Sequence, residues 1–260
     1  MIKNRKKKIV IIYEGEKTEK NLFKNISQHF FDNRAEVMIV TLPAAGNLYM
    51  LWSKLQKDDF ETDVISVLKE MNGDISERIK NAEITDFSEV YLFFDYDGHH
   101  NNVPQNLGRH DVLSEMLQTF NNETELGKLY ISYPMVESIK EISADTQDYE
   151  TFYLSLDECR DYKEKVGGVS DYADFRHITK EMWYIACNAS RKRASVIVSC
   201  KEENDYQSFI KNISQEEIYN AQKDKFINEN QSIGILNSIP LFLIEYYGEE
   251  LWGKMQNISK

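Results

Sequence analysis

The sequence is poor in cysteine, and its few cysteines show no metal-binding spacing. Its 260 residues include three cysteines, Cys159, Cys187 and Cys200, with no CxxC pair and no Cys/His ligand pattern. This argues against a zinc site and against a disulfide scaffold. An odd number of scattered cysteines favours a reducing compartment, so we expect a cytoplasmic protein.

Long hydrophobic runs and a nucleotide-binding loop are also missing. No apolar run approaches the roughly 18 residues that a membrane span needs, so we predict no membrane partner. The basic start MIKNRKKK leads into a short apolar run without a small-residue cleavage site, which does not fit a signal peptide. No GxxxxGK(S/T) motif occurs, so the chain lacks the Walker A loop of P-loop ATPases.

Positive charge is scarce. The chain has 31 Lys and Arg against 43 Asp and Glu, which gives a net charge of −12. A protein that coats nucleic acid through bulk electrostatics would have the opposite balance. The existing positive charge is clustered at Lys3–Lys8 and Arg191–Arg193. We interpret each cluster as a solvated surface run, although a local contact with nucleic acid stays open.

The first half of the chain alternates apolar runs of strand length with helical patterns. The predicted strands are Lys8–Tyr13, Glu36–Leu42, Glu89–Phe94 and Lys128–Tyr133. Strands separated by helices of this length form right-handed crossovers and a parallel sheet. We therefore predict an α/β fold, a parallel sheet flanked by helices.

Helical patterns connect these strands and dominate the second half. The first predicted helix starts at Thr18 as its N-cap, and helical material at 47–83 is broken near Lys57–Phe60. The other predicted helical segments are Val112–Phe120, 149–156, 170–189, 214–227 and the apolar stretch 235–252. Val196–Cys200 is predicted to be a short strand. We predict an α/β domain at 1–144 and a mostly helical region at 145–260 packed on it.

Four acids follow the predicted strands. Glu14 follows the first strand, Asp95 and Asp97 follow the third, and Glu137 lies just beyond the fourth. Parallel strands deliver their carboxyl ends to one edge of a sheet, where sites are built. Carboxylates crowded there repel one another unless a cation lies among them. Oxygen ligands without His or Cys suit Mg²⁺ or Mn²⁺, so we predict such a site, with Gly15 allowing a tight turn past the ion.

The order of these motifs resembles the Toprim domain of topoisomerases, primases and related nucleases. A Glu-Gly pair follows the first strand, at Glu14 and Gly15, and an Asp-x-Asp follows the third, at Asp95 and Asp97. Within that superfamily, EGEKTE and YPMVES are most similar to the RloB-like and OLD-type nucleases of bacterial defence systems. The resemblance covers residues 8–140, and it implies metal-dependent phosphodiester hydrolysis of DNA or RNA, including tRNA.

The resemblance also implies roles for individual acids. The family's catalytic, metal-binding acids correspond to Glu14, Asp95 and Asp97, and Glu14 is alternatively a general base. Two ions would be held about 3.5–4 Å apart. Glu19 and Glu137 would complete the second ion's ligands. However, Glu19 equally fits an acid in the first turn of a helix, and Glu137 fits a simple helix start.

Basic residues are the expected contacts of the substrate. OLD-type nucleases use a lysine or arginine to stabilise the transition state, and Lys17, Lys140 and Arg191 are all candidates. His99 and His100 follow the acids in a loop, where they would face solvent, contact a phosphate or shuttle a proton. We predict Lys17, His99 and Arg191 as substrate-binding residues.

The resemblance implies partners as well. Related defence proteins often work beside an ABC-type ATPase, which here would be a separate chain, so we expect an effector of anti-phage defence. A homo-oligomer is a further expectation. One alternative is a non-catalytic sensor or assembly subunit with vestigial acids. Another is a haloacid-dehalogenase-like phosphatase, which FDYDGHH resembles, but about 90 residues precede the motif and His99 replaces the usual Thr.

Overall fold

The structure is a computed structural model that describes residues 7–15, 17–31, 35–42, 47–71, 79–96, 111–142, 152–167 and 170–258. The chain divides into two compact units. The first comprises Met1–Phe94 and Asn101–Leu129, and the second comprises Asp95–His100 and Tyr130–Lys260. The predicted division into 1–144 and 145–260 stays a prediction.

A five-stranded sheet confirms the predicted α/β fold. Its strands are β1 (Lys7–Tyr13), β2 (Ala35–Thr41), β3 (Glu89–Asp95), β4 (Asn121–Asn122) and β5 (Gly127–Ser132), in the order β2-β1-β3-β5-β4. β1 pairs in parallel with both β2 and β3, so that Tyr13 lies opposite Thr41 and Phe93. Each of the four predicted strands starts and ends within one residue of the observed strand.

The helices of the first unit are short and amphipathic. They are α1 (Thr18–Ile26), which continues as a π-helical turn at Ser27–Phe31, α2 (Leu48–Gln56), α3 (Val64–Glu70) and α4 (Val112–Thr119). Asn47 and Asp63 cap α2 and α3 through their side chains, as short polar side chains do at helix starts. The predicted break near Lys57–Phe60 is confirmed, because a turn with positive φ at Asp59 and Phe60 separates the two helices.

The core of the first unit lies between β1, β3 and α1. Residues Ile9 to Tyr13 of β1 are at most 1% exposed. Phe23 of α1 lies between the rings of Tyr13, at 5.7 Å, and Phe93, at 4.7 Å. Burial of β1 explains its unbroken apolar sequence, since a strand flanked by strands and covered by helices has no polar face.

The second unit is mostly helical. Its helices are α5 (Tyr162–Lys165), α6 (Lys180–Ser199), α7 (Tyr206–Asn212), α8 (Gln215–Ala221), α9 (Asn228–Asn230) and α10 (Ser238–Ile258), with 3₁₀ turns at Val136–Glu141 and Glu158–Asp161. Gly248 interrupts α10 with φ 59 and ψ −142. Two short strands, β6 (Tyr153–Ser155) and β7 (Ser232–Gly234), pair in antiparallel fashion. No helix among the described residues is long and apolar enough to cross a bilayer.

Several predicted local structures are wrong. Lys17, and not Thr18, is the N-cap of α1, and it makes no side-chain cap. Val196–Cys200 is not a strand, because α6 continues to Ser199. Residues 153–155 are a strand and not helix, because they pair with β7, and the helix predicted from residue 170 begins only at residue 180.

Candidate active site

Glu14 is oriented by the helix that follows β2. It comes directly after the buried strand β1 and is itself partly exposed. Its Oε1 accepts a 2.6 Å hydrogen bond from the backbone N–H of Leu48, the first residue of α2. The N–H groups at a helix start lack partners within the helix and favour negative charge. The start of α2 therefore fixes the direction of the Glu14 carboxylate.

Glu19 folds back over the Glu-Gly loop. It lies in the first turn of α1, is 6% exposed, and its Oε1 accepts a 3.1 Å hydrogen bond from the backbone N–H of Gly15. A Cβ atom on residue 15 would lie 2.1 Å from Oε2 of Glu19. Only glycine leaves room for this arrangement. Glu19 thus ties α1 to the loop behind Glu14, and its role as a metal ligand stays a prediction.

Asp95 is oriented by the segment that follows β5. Its Oδ1 accepts a 2.9 Å hydrogen bond from the backbone N–H of Val136. The next residue, Tyr96, donates from its backbone N–H to the carbonyl of Ser132 at 3.0 Å. Both bonds lie within the second unit, and they hold Asp95 beside the 3₁₀ turn that contains Glu137.

Glu137 is a buried carboxylate in an ion pair. Its side chain is 2% exposed, and its Oε1 lies 2.7 Å from Nζ of Lys163, whose side chain is 67% exposed. The neighbouring backbone is fixed by Asn237, whose Nδ2 donates to the carbonyl of Val136 at 2.7 Å and to Oγ of Ser138 at 3.1 Å. A buried carboxylate needs such compensation for its lost hydration. The structure therefore shows Glu137 as a buried carboxylate of the second unit that is compensated by an ion pair.

A second group of ionisable side chains adjoins this turn. Burial raises the pKa of the Glu141 carboxyl, while the positive charge of Arg193 and the nearby hydroxyl of Tyr162 oppose the rise. Burial and then the charge of Glu141 raise the pKa of the Tyr162 hydroxyl. The Arg193 guanidinium lies 3.8 Å from the ring centre of Phe152 and donates to the carbonyl of Glu141 at 3.2 Å. Sequence reasoning missed this group, whose members are far apart in the chain.

The interpretation of Arg191–Arg193 as a solvated surface run is wrong. Arg191 is 7% and Arg193 is 2% exposed. Residues two positions apart on a helix point to different faces, so α6 is packed on both of these sides. Arg191 donates to the carbonyl of Glu203 and to Oδ1 of Asn188 at 3.1 and 3.3 Å. Its guanidinium also lies 5.2 Å from the ring centre of Trp252. The predicted contact of Arg191 with substrate stays a prediction.

The other predicted basic contacts are placed differently. Lys17 is exposed at the start of α1. Nζ of Lys140 lies 5.4 Å from the ring centre of Phe175. Asp97, His99 and His100 lie outside the described residues, so their predicted roles stay predictions. Within the described ranges, no group of three or more His, Cys, Asp or Glu side chains forms a metal-binding cluster, and Asp97 is not part of those ranges.

Comparisons with known proteins found no match to this chain. No protein-family model matches the chain, and no curated protein or solved structure matches it. The resemblance to Toprim nucleases therefore rests on the motifs, their order and the strands that carry them.

Proposed function

We propose that this protein is a metal-dependent nuclease that hydrolyses phosphodiester bonds of DNA or RNA, tRNA included. The observation that carries the proposal is the register of two neighbouring strands. β1 and β3 pair in parallel with Tyr13 opposite Phe93. A partly exposed carboxylate follows β1 at Glu14, and another ends β3 at Asp95. The carboxyl ends of adjacent parallel strands are where α/β folds place their sites.

The acids fit the chemistry of a hard divalent cation. Glu14, Asp95 and Asp97 would hold Mg²⁺ or Mn²⁺, and Glu19 and Glu137 would add ligands for a second ion, because all five offer only oxygen donors. When bound, the ions would activate the attacking water and stabilise the leaving oxygen. The backbone N–H groups of Leu48 and Val136 would orient the Glu14 and Asp95 carboxylates, which is the support that metal ligands need.

The proposal extends to the setting in which the nuclease works. Its resemblance to RloB-like and OLD-type proteins supports an effector of bacterial anti-phage defence in the cytoplasm. A separate ABC-type ATPase would control it, since this sequence has no Walker A motif. A homo-oligomer belongs to the same proposal.

Cleavage of mixed substrates tests the proposal. Plasmid, single-stranded DNA and tRNA are incubated with Mg²⁺, Mn²⁺ or EDTA, using wild type, Glu14→Gln, Asp95→Asn and the control Glu115→Gln, which alters an exposed acid on α4. We expect cutting that requires metal. Loss in the first two variants should exceed the roughly 10- to 100-fold cost of changing a supporting residue. Cutting that survives both substitutions, or that persists in EDTA, contradicts the assignment.

One observation favours a non-catalytic subunit as the second candidate. Glu14, Glu19 and Glu137 each have a partner inside their own unit: Leu48 N–H, Gly15 N–H and Lys163. If the acids serve only to make these structural contacts, wild type should cut none of the substrates, and Glu14→Gln should lower the stability of the protein. In that case, the next experiment is to identify the partner that the chain binds.

A further inference from the structure

The exposed face of α1 carries lysines. Lys17, Lys20 and Lys24, here called the α1 lysine stripe, are all exposed. The opposite face of α1 packs into the core through Leu22, Phe23 and Ile26. Burial of that apolar face fixes the rotation of the helix, so the lysines face solvent as a consequence of packing.

The stripe is narrow and short enough to follow one strand of nucleic acid. At 3.6 residues per turn, the three positions fall within an arc of about 60°, and at 1.5 Å per residue they span about 10 Å of the helix axis. The phosphates of one DNA strand are spaced by about 3.4 Å along the duplex axis, so this length matches about three of them.

The lysines of the stripe form no ion pair within the described part of the chain. Many lysines elsewhere pair with acids, such as Lys54 with Glu70 and Lys254 with Glu250. By contrast, the three stripe lysines make no ion pair with any described residue, although the chain has a net charge of −12. The acid within α1, Glu19, is buried and directed to Gly15. A local positive surface on an acidic protein attracts a polyanion.

We propose that the α1 lysine stripe binds the phosphodiester backbone of the substrate next to the candidate site. This inference rests on the proposed nuclease function and names the surface that such a substrate would use. Glu19 ties the first turn of α1 to Gly15, so the stripe begins at the loop that carries Glu14. Because lysines read charge and not base edges, the contact lacks sequence preference.

Salt-dependent binding tests the stripe separately from cleavage. The probe is fluorescein-labelled single-stranded DNA, with duplex DNA and RNA of the same sequence, measured by anisotropy in EDTA over a range of salt concentrations. The variant is Lys20→Gln/Lys24→Gln. The control is Lys201→Gln/Lys211→Gln, which removes the same charge from exposed lysines of the second unit that likewise make no ion pair with described residues. Melting temperatures show whether each variant is folded.

The expected result is a smaller salt dependence for the stripe variant. Losing two phosphate contacts should reduce the slope of log K against log salt by about 1.4 for single strands and about 1.8 for duplex DNA. The control should retain the wild-type slope. An unchanged slope in the stripe variant, or an equal loss in the control, overturns the proposal. The proposal is also overturned if the stripe variant loses binding to phosphatidylserine vesicles but retains binding to nucleic acid, because the stripe would then be a membrane contact.

The same samples given Mn²⁺ distinguish the two proposals. Cutting by wild type with an unchanged slope in the stripe variant overturns the stripe and leaves the nuclease. If nucleic-acid binding depends on the stripe but wild type does not cut, the proposal for the stripe is supported and the proposed nuclease function is overturned. Wild type that neither binds nor cuts overturns both.

Discussion

Gly15 and the Glu19 carboxylate occupy adjoining space in the loop between β1 and α1. The missing side chain of Gly15 is what allows the carboxylate to reach the backbone N–H behind Glu14. Two hydrogen bonds thus explain the EG pair of the sequence. Glu14 accepts one from Leu48 at the start of α2, and Gly15 donates the other to Glu19. Sequence reasoning could place Glu14 and Asp95, because strand ends are local features. It could not find Leu48 or Val136 as their donors, because those contacts depend on tertiary structure.

A double-mutant cycle tests this dependence. Gly15→Ala should displace the Glu19 carboxylate and lower the free energy of unfolding by about 1.5–3 kcal/mol, the typical contribution of a hydrogen bond to a charged group. Glu19→Ala removes the same bond. We therefore expect the double variant to be less destabilised than the sum of the two single changes, as measured by urea unfolding. Strict additivity would show that the two residues act independently.

The burial of Glu141 gives a pH dependence with a definite sign. Its folded pKa is raised above the ordinary value of 4.5. Between about pH 4.5 and the folded pKa, the unfolded carboxyl has lost its proton while the folded one retains it. The wild type therefore loses stability as pH rises through this window. Glu141→Gln does not titrate. Its unfolding free energy relative to wild type should therefore rise through this window and level off above it.

Urea unfolding at a series of pH values, from below 4.5 to neutral, measures this difference. Glu115→Gln, an exposed change on α4, is the matched control and should show no such trend. A difference between Glu141→Gln and wild type that does not vary with pH contradicts the expected burial of the charge.

At the level of elements, buried strands could be predicted because their own apolar sequence identifies them. The errors arose where residues far along the chain determine the structure. Val196, Ile197 and Val198 have strand propensity, yet α6 continues through them. Lys225 donates to the carbonyls of Ile197 and Val198 at 3.0 and 2.7 Å, which satisfies groups that a helix end leaves without partners. β6 likewise exists because β7, far along the chain, pairs with it. Neither partner is visible in a local pattern.

Two glycines show how differently an added methyl group should act on two elements. Gly127 starts β5 with φ +112, and a Cβ there would lie 3.0 Å from side-chain atoms of Val90 and Leu92 in β3. Gly127→Ala should therefore destabilise the protein by about 1–3 kcal/mol. Gly253 lies in α10 with no atom within 4 Å of an added Cβ, and Gly253→Ala should stabilise by about 0.5–1 kcal/mol. Thermal unfolding of both variants measures the contrast, and equal shifts would contradict it.

For the whole molecule, the excess of acids makes the effect of divalent ions a test of the site. Because the net charge is −12, any cation reduces the repulsion among the acidic side chains somewhat. An ion bound at a specific site stabilises the folded state through its ligands, so its effect is lost when a ligand is changed. At a Mn²⁺ concentration 100 times its dissociation constant, we expect about 2.7 kcal/mol of added stability.

Thermal unfolding with and without Mn²⁺, in wild type, Glu14→Gln and Glu115→Gln, separates the two effects. The gain should persist in Glu115→Gln, which alters an exposed acid, and disappear in Glu14→Gln. An equal gain in all three proteins would show that Mn²⁺ acts by screening the overall charge.

The discontinuous course of the first unit bears on how the protein is made. This unit comprises residues 101–129 as well as 1–94. At roughly 5–20 residues per second, a ribosome takes about 6–26 s to synthesise the 129 residues from 1 to 129. Glu14 is synthesised before Asp95, and Asp95 receives its backbone donor only with Val136. A translation product that ends before Val136 therefore cannot orient Asp95 as the full chain does. On the proposed function, a fragment that ends before Val136 would lack the contact that orients one of its metal ligands.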